Sequence, residues 1–389
     1  TYTYDGTPKG TFGANLQNPG HTLATALQLV PGHSLSTITL SGTQRTSSGT
    51  YANAITPSNA RITDAGGNDV TANYLINAPT SYYPGTLRIN PLGGENPVVI
   101  RALDQHYVYN ESAQGVVGRM TLTSGTYSPY VRAEGLLAGH YLAEVTIGGS
   151  QQTEPNTYAG MLVPSGAVIR DASGADVTSE YTFTASSYVA ADLIIHKKGN
   201  GKPDGNGGEQ PMDVYAQDQH FIYNAQPQGT FGTSLAVTTP NPLATAVELL
   251  PGHRVTNVTL TGTRQTIPGT YGSAIVPTAI RIVNAASQDV TDKYLLTASS
   301  YIAGDLIIHK KGNGQPDGNG GELPMEIYAQ DQTFTSDGQP KGTFGSNLNN
   351  PSHTLATAVQ LVPGHSLSII TLSGTQRTAS GTYANAITP

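Results

Sequence analysis

The chain has 389 residues, with 19 Lys and Arg against 26 Asp and Glu, a formal net charge of -7, and charged residues at only 12 % of positions. No basic run is long enough to follow a phosphate backbone, which argues against nucleic acid as a partner. Cysteine is absent, which excludes disulfides, thiolate metal sites and cysteine nucleophiles.

The first residues, "TYTYDG", carry no signal-peptide pattern and read as a mature fragment or an internal window of a longer protein. No stretch reaches the apolar length of a membrane span, so no membrane insertion is expected in this segment. With 45 Gly, 21 Tyr and abundant Thr and Ser, the composition favours many short strands and an all-β fold.

In chain order the same markers return. "GTFG" begins at Gly10, Gly229 and Gly342. "PGH" ends at His33, His253 and His365, with "AGH" at His140. "GTY" begins at Gly49, Gly269 and Gly381, with "NTY" at Asn156. "DVTANY", "DVTSEY" and "DVTDKY" begin at Asp69, Asp176 and Asp289. Such a period of roughly 110 residues indicates one supersecondary unit built repeatedly. Residues 10–57 also match 342–389 at all but six of 48 positions, so a block of three repeats is itself duplicated and a fourth begins the second copy.

Within a repeat the strands are legible. In the third, 213–223 begins with strand alternation, 256–262 places Val258 and Leu260 on one face, 279–284 alternates again, and 305–309 is a short buried closing strand. Residues 21–30 fit either a strand or a short helix, stopped by the "PGH" turn. About seven short strands per ~110 residues is the pattern of an immunoglobulin-like sandwich. The expected architecture is therefore all-β, with tandem immunoglobulin-like β-sandwiches arranged end to end. The repeats run over 1–91, 92–199, 212–312 and, as a first half only, 325–389, with Gly-rich linkers at 200–211 and 313–324.

The ordered motifs "YDGTPKG", "PGH", "GTQRTSSGTYANAI", "ARITDAGGNDVTANY" and "GTLRIN" resemble the tandem MBG/YDG-type repeats of bacterial, especially Gram-positive, cell-surface adhesins and fibre proteins. That resemblance implies an extracellular location at the cell surface or wall and a stalk or presentation role, with neighbouring repeats or further copies of the chain as partners in a fibre. A repeated adhesive module binding host glycan, mucin or matrix protein is the alternative, in which multivalency raises a weak single-site affinity.

The candidate site residues follow from local chemistry. Asp69, Asp176 and Asp289 precede a Thr and suit Asx-type turns; Tyr74, Tyr181 and Tyr294 suit buried rings that tie a turn to the backbone. Each repeat supplies one marker histidine with no second ligand at metal spacing, so these read as turn residues. In the linkers, Asp204, Asn206 and Glu209, and again Asp317, Asn319 and Glu322, place oxygen donors among glycines in a pattern suited to calcium. Lys9 and Lys341 become Gln228 in the third repeat, so no lysine crosslink is shared there, although Lys197, Lys198, Lys310 and Lys311 remain candidate donors. Tyr127, Tyr130 and Arg132 in the divergent second repeat offer rings and a guanidinium for a sugar or an acidic group. There is no "GxSxG" and no shared carboxylate pair, which points away from an enzyme.

Overall fold

The computed structural model describes residues 1–77, 80–92, 97–238 and 242–389. Among them every regular element is a strand or a single turn of 3-10 helix, so the chain is all-β. Four of the eight junction residues 90–97, Gly93 to Asn96, lie outside the described set.

Each of the first three repeats is organised on one strand of 15 residues: Gly49–Thr63, Asn156–Arg170 and Gly269–Val283. Threonine, tyrosine, valine and isoleucine favour the extended backbone, but the strand is not continuous in register. Its first part pairs with the closing strand (Gly85–Asn90, Ala191–His196, Gly304–His309), and its second part pairs with the preceding one (Ser34–Ser41, Tyr141–Gly148, Arg254–Thr261). The switch falls at a bulge between Tyr51 and Ile55, Tyr158 and Leu162, and Tyr271 and Ile275. Asn53, Gly160 and Ser273 at these bulges have φ of 55°, 61° and 52°. Glycine reaches that left-handed region freely and asparagine more readily than other side chains do. The bulge turns the strand so that one sheet curls around a core.

Alternation fills that core. In the closing strands Ala191, Leu193 and Ile195 point inward, as do Leu306 and Ile308. Ala191 and Leu193 join Val145, Ile147 and Ile169 in one apolar cluster of the second repeat, and Leu306 joins Val258, Ile275 and Ile282 in a separate one of the third.

A second, three-stranded sheet covers the other side of the second and third repeats. Its central strand is the first of the repeat, Val99–Ala102 or Val214–Ala216. Val214–Ala216 runs parallel to Tyr301–Ile302 and antiparallel to Ala244–Ala246; Val99–Ala102 lies likewise between Tyr188–Val189 and Val131–Glu134. In the fourth repeat Ile327–Ala329 pairs with Ala356–Ala358, and a trough of about 680 Å³, bordered by Phe334, Phe344, Tyr383 and Ile387, opens beside them.

Residues 21–30 thus form neither a long strand nor a helix. Their counterparts are three-residue strands in the third and fourth repeats, and in the first repeat residues 24–26 are irregular.

The chain groups into two compact units, Thr1–Tyr107 with Glu111–Ile195, and Val108–Asn110 with His196–Pro389. Inside the first, the junction between repeats is packed, not sparse. Across it, the Ser48 amide donates to the Glu180 carboxylate and the Ser48 hydroxyl donates to the Ser179 carbonyl at 3.3 Å. Leu92 and Leu137 also pack on the Tyr4 cluster of the first repeat.

The "GTFG" marker has a packing cause. A Cβ at Gly262 would stand 2.3 Å from the Ala274 carbonyl oxygen and 2.4 Å from the Phe231 ring; Gly42 and Gly374 are equally hemmed in by Phe12 and Phe344. Gly262→Ala is expected to cost about 2 kcal/mol by overpacking. Gly272→Ala, whose nearest new neighbour would be 3.9 Å away, is the control, and denaturant unfolding of the two variants checks the difference.

Candidate functional site

The recurring "DVTxxY" phrase builds a rigid edge. Asp69 Oδ1 accepts the Thr71 amide at 3.0 Å, Asp176 Oδ1 that of Thr178 at 2.9 Å, and Asp289 Oδ1 that of Thr291 at 3.1 Å. Each threonine hydroxyl in turn accepts an amide from the long strand, Ile62, Ile169 or Ile282, at 2.8, 2.9 and 2.8 Å. The Asx turn is therefore bolted to the strand beside it.

The carboxylates titrate accordingly. The Thr71 hydroxyl and amide, then Arg61, hold Asp69 down to about 2. The Thr291 hydroxyl, then Arg281, hold Asp289 at about 2. Thr178 lowers Asp176 in the same direction.

A single 3-10 turn carries the chain from the threonine to the tyrosine, and the tyrosine meets the "PGH" turn. Tyr74, Tyr181 and Tyr294 hydroxyls accept the amides of Val30, Leu137 and Leu250 at 3.0, 3.1 and 3.1 Å. Each hydroxyl also bonds the marker histidine: His33 Nδ1 at 2.9 Å, His140 Nδ1 at 2.7 Å and His253 Nδ1 at 2.7 Å. The rings meet edge to face at 6.0, 5.8 and 5.8 Å. Gly32, Gly139 and Gly252, at φ of 85°, 83° and 81°, make the turn that aims the imidazole. Tyr181 and Tyr294 are buried at 5 % and 2 % exposure. Leu92 and Lys198, in the segments that enter the second and third repeats, pair with Tyr181 and Tyr294; Tyr74 is only half-buried.

Such an entering segment is what the edge receives. Lys198 donates to the Lys293 carbonyl at 3.0 Å, the Leu295 amide donates to Lys198 at 2.8 Å, and Met212 donates to the Leu295 carbonyl at 2.9 Å. Leu92 uses Glu180 and Thr182 of the second repeat in the same way. The chain then becomes the first strand of the repeat it has entered.

Between Lys198 and Met212 lies the first Gly-rich stretch, which is a hydrogen-bonded hairpin instead of a loose linker. Asp204 Oδ1 accepts the amides of Asn206 and Gly208 at 2.7 and 3.0 Å, and the Glu209 carboxylate takes the Lys198 ammonium at 2.8 Å and the Gly199 amide at 2.8 Å. Asp317 repeats this with Asn319 and Gly321, and Glu322 with Lys311 and Gly312. Lys311 holds Glu322 below the usual carboxylate range. The six residues drawn together by the calcium pattern thus divide: the Asp turns the hairpin, the Glu clamps its base, and Asn206 and Asn319 lie exposed. Among the described residues no three His, Cys, Asp or Glu side chains converge on one point.

Tyr127, Tyr130 and Arg132 occupy the loop before Val131–Glu134 and that strand itself. Tyr127 is 80 % exposed, Tyr130 is half-buried, and Arg132 Nε donates to Glu134 Oε1 at 3.0 Å. The guanidinium already has a carboxylate.

Two clamps carry no obvious sequence signal. The Gln105, Gln219 and Gln332 amides each grip one residue twice: Val116 at 2.7 and 3.0 Å, Thr230 at 2.7 and 3.1 Å, Thr343 at 2.7 and 3.2 Å. The tyrosines of "GTY" and "NTY" close their own loops: Tyr51, Tyr158, Tyr271 and Tyr383 donate to carbonyls four residues back at 2.8 to 2.9 Å. The recurrence of "DQ" before a strand was the available hint for the first.

Tyr294→Phe leaves the Leu250 amide without its acceptor and is expected to destabilise the third repeat by about 1 to 2 kcal/mol in denaturant. Acid should act through the aspartates. Their folded pKa lies below the unfolded value of about 3.9, so their contribution is complete above that value and lost as pH falls toward about 2. Thermal melts should be flat above that window and fall within it, and Asp289→Asn should flatten the dependence. No family model, no curated protein and no solved structure matches this chain, so the reading of the site stands on its own geometry.

Proposed function

We propose that the chain is a segment of a long extracellular stalk or fibre on a bacterial surface, built from tandem immunoglobulin-like β-sandwiches of the MBG/YDG type that project or assemble adhesive parts away from the cell. The observation that carries this reading is the direction of the terminal strands. In the third repeat the incoming strand Gln219–Ile222 runs parallel to the outgoing strand Gly304–His309 over four aligned pairs, and Val214–Ala216 runs parallel to Tyr301–Ile302 just before them. Tension applied to the two ends of such a repeat loads these hydrogen bonds together in shear, and resistance to forced unfolding is set by the unfolding rate. A fold whose work is to hold a distance gains from that arrangement.

The entering hairpins support the same role, since each is tied by its own Asp, Glu and Lys bonds, and we assign no ion to them. A second reading, a repeated adhesive module that binds host glycan, mucin or matrix protein, is favoured by Tyr127 alone, with its ring 80 % exposed.

Stretching the full chain by its ends in a single-molecule experiment tests the first reading. The third repeat should yield in one high-force step, and Phe221→Pro, which removes a ladder donor, should lower that force. Extension of the wild-type chain without such a step would overturn the stalk role. Retention of the chain on a glycan or mucin surface, lost in Tyr127→Ala, would select the second reading.

A further inference from the structure

The tripeptide Gly-Asn-Gly stands in this chain at 199–201, 205–207, 312–314 and 318–320, and nowhere else does asparagine precede glycine. Each Gly-rich hairpin holds one copy at its base and one at its tip. Asparagine before glycine is open to a reaction with its own backbone. The glycine amide nitrogen attacks the asparagine Cγ, a C–N bond forms, the bond from Cγ to the side-chain nitrogen breaks, and ammonia leaves. Water then opens the cyclic imide at either carbonyl, giving aspartate or its β-linked isomer. Glycine favours the step because it has no Cβ to obstruct the attack.

The fold treats the copies unequally. At the base of the first hairpin Asn200 Oδ1 accepts the Lys202 amide at 3.1 Å, Asn200 Nδ2 donates to Asp213 Oδ2 at 3.4 Å, and the nucleophile itself, the Gly201 amide, donates to Glu209 Oε2 at 3.3 Å. Asn313 repeats this in the second: it accepts the Gln315 amide at 2.9 Å and donates to Glu326 Oε1 at 3.1 Å, while the Gly314 amide donates to the Glu322 carboxylate. Both asparagines are half-buried. Bringing Cγ to the glycine nitrogen there means breaking hydrogen bonds to carboxylates, which are the stronger kind.

At the tip the same tripeptide is unrestrained. Asn206, Gly207, Asn319 and Gly320 are all exposed. Asp204 Oδ1 takes the amides of Asn206 and Gly208 and leaves the one between them; Asp317 Oδ1 does the same with Asn319 and Gly321. Among the described residues no hydrogen bond holds the Gly207 or Gly320 amide, or the side chain of Asn206 or Asn319.

We infer that Asn206 and Asn319 are sites of spontaneous covalent modification, converting to aspartate and isoaspartate through attack by the Gly207 and Gly320 amides, and that the hairpin base shields Asn200 and Asn313 from the same reaction. Each conversion adds one negative charge to a chain of net charge -7 and places a new carboxylate two residues beyond Asp204 or Asp317. The β-linked product also lengthens the backbone between the two amides that the aspartate holds. Water is the only co-reactant. The inference does not rest on the stalk reading, since it concerns the local chemistry of two hairpins.

The full chain is incubated at mildly alkaline pH, folded and in concentrated urea, then digested at acid pH, and each Gly-Asn-Gly peptide is followed by mass spectrometry for exchange of the amide for an acid. In urea the four sites should convert at similar rates, because their tripeptides are identical. In the folded chain Asn206 and Asn319 should outpace Asn200 and Asn313 by at least about tenfold, since local opening must precede reaction at the base. Fragmentation should show isoaspartate beside aspartate at both tips. Equal rates at the four sites of the folded chain, or intact Asn206 and Asn319 once the urea sample has converted, would overturn the assignment. Aspartate without isoaspartate would mark direct hydrolysis and overturn the backbone attack.

Discussion

A tyrosine hydroxyl held between a backbone amide and an imidazole fixes the edge on which a repeat is assembled. The bond at 2.7 Å between Tyr294 and His253 joins two segments 41 residues apart, one from the "PGH" turn and one from the "DVTxxY" turn. Neither turn is long enough to hold a shape alone. The aspartate closes one turn and the left-handed glycine closes the other, and the tyrosine then locks the two together. A buried pair with both partners satisfied contributes modestly in net terms, but leaving one partner unmatched is costly. The pair must therefore be copied whole or not at all, which is why the histidine and the tyrosine recur together in the first three repeats.

The edge so fixed determines what the neighbouring sequence becomes. "HTLATA" stands in the first repeat and again in the fourth. In the fourth, 356–358 is a strand and Ala356 is fully buried; in the first, 24–26 is irregular and Ala24 only half-buried. Local propensity is the same in both, and the strand in the fourth repeat goes with its partner, since 356–358 pairs with Ile327–Ala329. Strand formation here is a property of the pair and not of either segment.

This also sets how much could be read without coordinates. The repeat period, the all-β class, the alternating closing strands and the Asx role of Asp69, Asp176 and Asp289 were legible because each is a local pattern. The role of the tyrosine was legible in kind, but its degree of burial was not, since Tyr181 and Tyr294 are buried and Tyr74 only half-buried. The histidines read as turn residues, and their bond to the tyrosine was hidden because the partner lies 41 residues away. The calcium pattern at Asp204 and Glu209 was built from residue types and spacing. It could not register that a lysine preceding the loop, Lys198, reaches Glu209, or that Asp204 spends its carboxylate on its own hairpin.

The Gly-rich stretches illustrate the same limit with a wider consequence. Composition marks 200–211 as a joint, yet its glycines at Gly201, Gly205 and Gly207, with φ of 79°, 87° and 86°, are the residues a tight hairpin needs. The base of that hairpin is clamped by a charge pair with side-chain exposures of 12 % and 16 %. Such partial burial makes the pair stronger than an exposed one and leaves less room for water to replace it. The hairpin is flanked by Lys198 and Met212, both laddered to the edge of the third repeat. Read from its hydrogen bonds, the stretch belongs to the repeat it enters, and the sequence period is offset from the physical module by the length of that entering arm. A boundary cut at Met212 would remove Lys198 and the hairpin from the edge of the third repeat and leave the Leu295 amide without the Lys198 carbonyl it donates to.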